Sequence, residues 1–544
     1  MSALARLATV LAAAAVLAAP TGCAKKLERQ LVAPGDAAHL DRDSRFLKAH
    51  MKNGDVIVFG RWQVNELRRE VSGPARRYDV DREPMAARLT TIRIDDVAIF
   101  ETNVARNSRS VAGMAIVTGI SAAVTVACLA NPKACFGSCP TFYIDDGRRP
   151  VLMAEGFSDS IAPSLEADDL DALPAARATQ EGRLVITMTN EALETHVVRH
   201  VDVLAAARAP GERVFATPAG VLRRAPALAT LLSCRDSAGA DCAARLRGLD
   251  GDERVSQTDG VDLATRETLD LEFPAPAPGQ LAPRGLVLAS RQTLLSTYVL
   301  YQALAWVGGD IGTVLAALER RSDAGAGPDA SKRGPGPDAS DVHALLGFIE
   351  VQVPDGAGGF RTIGQLGETG PLATDVKLLE LPAGAGQHVR LRVARGHFRL
   401  DWAALATLGD AVTPVRVRPS RVVGQTPDPR RGLVTLPGDR VRFEYQLPPG
   451  DHELFLDTRG YYLEWMRDEW LREQAPLKAA RLLLSPAGAL RELAPAFKRV
   501  EPEMERLFWA SRFRRRDSAR LPSGSGVPAA ASALPPPPAL EVRP

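Results

Sequence analysis

At 544 residues the chain has room for roughly two to four domains with sizeable buried cores. Its 67 Lys and Arg stand against 65 Asp and Glu, a formal charge of +2, so no global field draws it to nucleic acid and a general nucleic-acid binder is excluded as the leading class. Hydrophobic residues at 45% and charged residues at 24% are ordinary globular proportions, while 45 Gly and 40 Pro imply many turns and some segments without a core.

Residues 1–22 read as a secretory signal peptide: Arg6 is followed by a run from Leu7 to Ala19 that is apolar except for Thr9, too short for a permanent anchor. The run ends in Pro20-Thr21-Gly22-Cys23, which resembles the lipobox of bacterial lipoproteins, although Pro20 stands where that family usually has an aliphatic residue. The resemblance implies that Cys23 is acylated and becomes the first residue of the mature chain. It covers only these 23 residues and identifies no domain family. Ordinary cleavage that leaves Cys23 free is the competing expectation. Residues 23–45, polar and unpatterned, read as a tether.

Export makes disulfides the expected fate of neighbouring thiols. Cys234 and Cys242 flank a polar loop in which Gly239 can turn, and Cys135 and Cys139 flank Phe-Gly-Ser, so each pair is expected to close locally. Cys128 is left as a buried apolar thiol. A zinc site from Cys128, Cys135 and Cys139 would have too few ligands at the wrong spacing.

Residues 46–215 read as a β-rich domain: Asp55 to Phe59 and Leu89 to Phe100 alternate at period two. It carries one insertion, 111–130, twenty residues without a charge. This insertion and Thr293 to Gly309 could pair as membrane spans, but their many small residues suit buried core helices better. Residues 216–322 read as a connecting region followed by helices from Leu286. Residues 323–340, with Gly-Pro-Asp-Ala-Ser twice and no large apolar residue, read as a disordered linker. Over 341–455 one-sided strands such as Ile349, Val351, Val353 and Val389, Leu391, Val393 indicate an antiparallel sandwich. Residues 456–516 read as C-terminal helices and 517–544 as a disordered Pro/Ala-rich tail. The fold class expected is α+β, two β-rich, sandwich-like domains joined by helical segments with a helical C-terminal region.

The segment Glu194-Thr-His196-Val-Val-Arg-His200-Val-Asp202 is the best candidate for chemistry. Unbroken alternation puts Glu194, His196, His200 and Asp202 on one strand face, where carboxylates and imidazoles can bind a metal. The four span about 26 Å at 3.3 Å per residue, so only Glu194 with His196, or His200 with Asp202, could share an ion. The solvated face of a strand explains the same pattern. Gly156-Phe-Ser158-Asp-Ser160 loosely resembles a nucleophile elbow, but Ser160 replaces the second glycine and Ser158 reads as a turn residue. The acidic run Glu166, Asp168, Asp169, Asp171 reads as a solvated helix start. Seven of the 29 aromatic residues lie between Phe443 and Trp470, and Tyr461, Tyr462, Trp465 and Trp470 could make a stacking platform for a sugar or peptide. No cofactor motif is legible.

These observations point to an exported envelope protein, lipid-anchored through Cys23 on the periplasmic or outer face, with a non-catalytic binding or assembly role toward other envelope proteins or wall polymer. The alternatives are an exported hydrolase or metal-dependent enzyme using the Glu194–Asp202 face, and an integral inner-membrane component.

Overall fold

The period-two strands assemble into five sheets distributed over two compact units. The computed structural model describes residues 25–107, 140–307, 346–465 and 475–517, apart from 43, 45, 81–82, 146–149, 159, 161–162, 164–165, 193, 276–281, 368–369, 386 and 429–431. Cys23, Cys128, Cys135 and Cys139, the segment 111–130, the linker 323–340, Trp470 and residues 518–544 of the tail lie outside the described residues. The α+β class holds, with two β-rich units, short helical segments and a helical C-terminal region.

In the first unit, β1 (Lys25–Val32), β2 (Leu47–Met51), β3 (Val56–Phe59), β4 (Gln63–Asn65), β5 (Glu70–Tyr78), β6 (Pro84–Arg93) and β7 (Val97–Asn107) form one antiparallel sheet. Its order is β1-β7-β2-β3-β5-β4, with β6 on β5. Alternation sends Leu47, Ala49, Ile57, Phe59, Val71 and Phe100 into one core. Gly54, at φ +85°, makes the turn from β2 to β3. The reading of 23–45 as a tether is corrected here: β1 pairs with β7 along its whole length, and Val32, Ala37 and Leu40 are buried in the same core. The ladder is made by backbone groups, so a polar sequence such as Lys-Lys-Leu-Glu-Arg-Gln could join it without an apolar signal.

The second unit is layered. Its central sheet runs β15 (Ala227–Thr230), β23 (Phe398–Thr407), β18 (Arg284–Gln292), β21 (Asp375–Glu380), β13 (Arg213–Ala216), β14 (Leu222–Ala225) and β24 (Ala411–Val412). Leu286 and Leu288 of β18 and Leu405 of β23 face a five-stranded sheet of β16 (Ser233–Asp236), β17 (Arg266–Glu272), β22 (His388–Ala394), β19 (Ile349–Pro354) and β20 (Phe360–Leu366). Val287 and Ala289 face the other way, toward Ala172, Ala206 and Phe455 of a third sheet. That sheet comprises β10 (Ala167–Ala172), β29 (His452–Glu464), β12 (Glu194–Ala207) and β25 (Val415–Val417), with β27 (Leu433–Thr435) also on β12. A fourth sheet, β26 (Arg421–Val423), β28 (Arg440–Gln446), β11 (Arg183–Thr189), β8 (Thr141–Asp145) and β9 (Pro150–Glu155), packs on its far face, where Tyr445 donates its hydroxyl to the Val201 carbonyl at 2.8 Å.

This layering corrects the domain boundaries. Strands of 141–207 pair with strands of 415–464, so 46–215 and 341–455 are not separate domains, and 216–292 contributes the five strands β14 to β18 rather than a connection. The helical reading from Leu286 fails because β18 is buried on both faces, which removes the alternation that identifies a strand. The helical reading of 456–516 also fails at its start, since β29 continues to Glu464.

The helix Leu295–Val307 is buried at Leu295, Val299, Leu304 and Trp306. Its 13 residues reach about 20 Å, and no helix among the described residues is long and apolar enough to cross a membrane. The helices Pro476–Leu484 and Pro486–Asp517 each begin on proline, where the missing N–H has no intrahelical partner to lose. The longer one buries Leu490, Leu493 and Phe497, the last with its ring 4.9 Å from Tyr298.

Cys234 and Cys242 form a disulfide with their Cα atoms 5.0 Å apart. The loop between them is closed by Asp236, whose Oδ1 accepts from the N–H groups of Ala238 and Ala240 at 2.9 Å, and by Gly239 at φ +82°. Both cysteines are buried against Leu231, Leu269 and Leu271. Replacing both by Ser should lower unfolding free energy by about 2–4 kcal/mol in urea titration. A change below about 0.5 kcal/mol would mean the bridge adds nothing to this core.

Candidate functional site

β12 carries the four residues singled out from its sequence, but it does not keep them on one face. Its pairing with β29 shifts register between Val198 and His200: His196 lies opposite Tyr462 and Val198 opposite Gly460, yet His200 lies opposite Arg459. The extra residue is a β-bulge, and every side chain after it changes face. Glu194 and His196 therefore point toward the fourth sheet, and His200 and Asp202 toward the opposite side.

On the first face Glu194 and His196 have no exposed surface. Burial pulls the His196 pKa down to about 3, against the attraction of Glu464 and Asp439. The imidazole is therefore neutral, and its Nε2–H donates to Glu194 Oε1 at 2.7 Å. Its Nδ1 has no hydrogen-bond partner among the described residues. Asn190 ties the start of the strand down, donating to the carbonyls of Glu194 at 2.9 Å and Thr435 at 3.2 Å. Both side chains of this pair are fully buried among the described residues.

On the second face the neighbours of His200 come from distant parts of the chain. In register, Asp168 of β10 and His200 both flank Arg459 of β29, while Asp202 lies opposite Asp457. One ligand atom each from Asp168, His200 and Asp457 lie within 4.8 Å of one another, and His200 Nε2 is 3.4 Å from Asp457 Oδ1. Three arginines hold the carboxylates. Arg416 donates to Asp202 Oδ2 at 3.0 Å and pairs with Asp457 Oδ2. Arg459 donates to Glu166 Oε1 at 2.9 Å and to Asp168 Oδ2 at 3.1 Å, and Arg199 donates to the other oxygen of Glu166 at 3.2 Å. Burial disfavours the charged guanidinium groups of Arg416 and Arg459, but the hydrogen bonds and charges of Asp202 and Asp457 raise the Arg416 pKa, and those of Glu166 and Asp168 raise that of Arg459. Thus Asp202 partners an arginine more closely than His200, and the pairing of His200 with Asp202 expected from the sequence gives way to Asp457 and Asp168. Asp168 was visible only as part of an acidic run read as a helix start, and Asp457 carried no local signal.

The aromatic platform is also corrected. Tyr461 and Tyr462 are fully buried and, as consecutive strand residues, point to opposite faces. Tyr462 donates its hydroxyl to the Ser158 carbonyl at 3.1 Å, and the Arg199 guanidinium lies 5.5 Å from the Tyr461 ring. Packing explains the cluster. Trp465 lies beyond the strand end, with the Lys52 ammonium 5.3 Å from its ring. Ser158 is 1% exposed, in a loop where Phe157 adopts φ +36°, so its hydroxyl is not presented to solvent as an elbow nucleophile would be.

Fold and site together define a multi-sheet β protein whose third sheet carries a polar lattice of ion pairs around one partly exposed imidazole. The chain matches no protein family, and no curated protein matches it.

Proposed function

We propose that this chain is an exported envelope protein, acylated at Cys23, that performs a non-catalytic binding or assembly role at a membrane surface facing the periplasm or the outside. The observation that supports export most directly is the Cys234–Cys242 disulfide, built into a hydrophobic core and suited to an oxidising compartment. A binding role, rather than a hydrolytic one, is favoured by the buried state of Ser158, Glu194 and His196 and by the arginine pairing of Glu166, Asp168, Asp202 and Asp457. Such groups hold sheets and orient surfaces; partners of this chemistry are other envelope proteins or a wall polymer. On this reading β1 begins two residues after the acylated cysteine, so the first unit is held close to the lipid without a long tether.

The test is Cys23→Ala in the full-length precursor. Wild type should fractionate with membranes and yield an N-terminal peptide bearing acyl chains, whereas the variant should remain soluble or unprocessed. A variant that is fully processed and still membrane-bound would reject the lipid anchor at Cys23.

A further inference from the structure

We propose that Asp168, His200 and Asp457 bind one divalent transition-metal cation with zinc-like coordination preferences. The inference does not depend on export or acylation. Each ligand comes from a different strand of three adjacent ones, β10, β12 and β29, so hydrogen-bonded ladders on both sides of β29 fix their relative positions. In a tetrahedral zinc site with bonds of about 2.0–2.2 Å, ligand atoms lie roughly 3.3–3.5 Å apart. His200 Nε2 and Asp457 Oδ1 already have this spacing at 3.4 Å. Asp168 completes the trio within 4.8 Å, and as it is 62% exposed its side chain can close the remaining gap by rotation.

The surrounding groups have the arrangement of an outer shell. Arg416 engages Oδ2 of Asp457 and leaves Oδ1 on the side of His200, while Arg459 orients Asp168 through its Oδ2. Charge points the same way. Glu166 and Arg199 offset one another, whereas Asp168, Asp202 and Asp457 carry three negative charges against two from Arg416 and Arg459. The carboxylates of the set exceed its guanidinium groups by one, an excess that a cation answers. Two carboxylates and one imidazole suit zinc or a similar metal better than magnesium, which prefers oxygen ligands alone, and they leave a coordination position for water or for a donor from a partner. His200 is 29% exposed, so the ion can enter from solvent, unlike at Glu194 and His196 on the opposite face.

The test uses the full mature chain, stripped with chelator and freed of it, titrated with Zn²⁺ by calorimetry and followed by thermal unfolding. One equivalent should bind with Kd in the micromolar range or tighter. Saturation should raise Tm by roughly 3–5 °C. Asp168→Asn, His200→Gln and Asp457→Asn should each weaken binding tenfold or more, while His196→Gln and the exposed-histidine variant His388→Gln should bind as wild type. Because Asp168 is exposed, Asp168→Asn provides the decisive arm even if Asp457→Asn fails to fold. Absence of binding below about 1 mM, unchanged affinity in Asp168→Asn, or loss of binding in His196→Gln or His388→Gln would each overturn the site.

Discussion

Replacing Lys377 by Met should cost the second unit about 3 kcal/mol of stability, a loss that added salt does not change. Lys377 lies on β21 in the central sheet, and its ammonium crosses to the third sheet, donating to the Leu170 carbonyl at 2.6 Å and pairing with Asp375 Oδ2 at 2.5 Å. Asp375 is itself buried, and its Oδ1 accepts from the N–H groups of Val376 at 2.7 Å and Ala172 at 3.2 Å. Burial alone would lower the Lys377 pKa, but Asp375, Asp171 and Asp169 overcome it and hold the group charged. Methionine preserves most of the apolar stem and removes the charge, so the cost is that of leaving Asp375 without its cation. The side chain keeps 18% of its surface accessible, which places the expectation at the lower end of the range for breaking a buried pair. Urea unfolding of wild type and variant in low and high salt measures it. A loss below 1 kcal/mol would show that this contact does not staple the two sheets.

The second large effect is acid destabilisation through His196. Its folded-state pKa of about 3 lies below the value of about 6.5 expected when unfolded, so between these limits the unfolded chain takes up a proton that the folded chain refuses. Stability is therefore full above about pH 6.5 and falls as pH drops toward 3, by up to about 1.4 kcal/mol per pH unit. His196→Gln keeps a donor for Glu194 and removes the titration. Compared by urea midpoint between pH 6.5 and 4.5, where carboxylate titration is common to both proteins and cancels, wild type should lose about 2–3 kcal/mol more than the variant. Parallel pH profiles would mean that His196 is not held neutral by burial.

The sequence by itself determined what depends on neighbours along the chain. Alternation marked Ile349 to Val353 and Val389 to Val393 as strands, because each buries only one face and shows its period of two. The cysteine spacing and the turn residues between them marked the Cys234–Cys242 bridge, which closes over eight positions. The tertiary structure decided everything that depends on which distant strand lies alongside. β18 is covered on both faces and so lost its period, and β1 joined its sheet through backbone groups that side-chain pattern does not report. A single bulge in β12, created by its register with β29, separated Glu194 and His196 from His200 and Asp202. The same register brought Asp168 and Asp457 to His200 from 32 residues before it and 257 after it. A side chain's direction on a strand is local until one residue is inserted; after that, only the pairing partner says which face it shares.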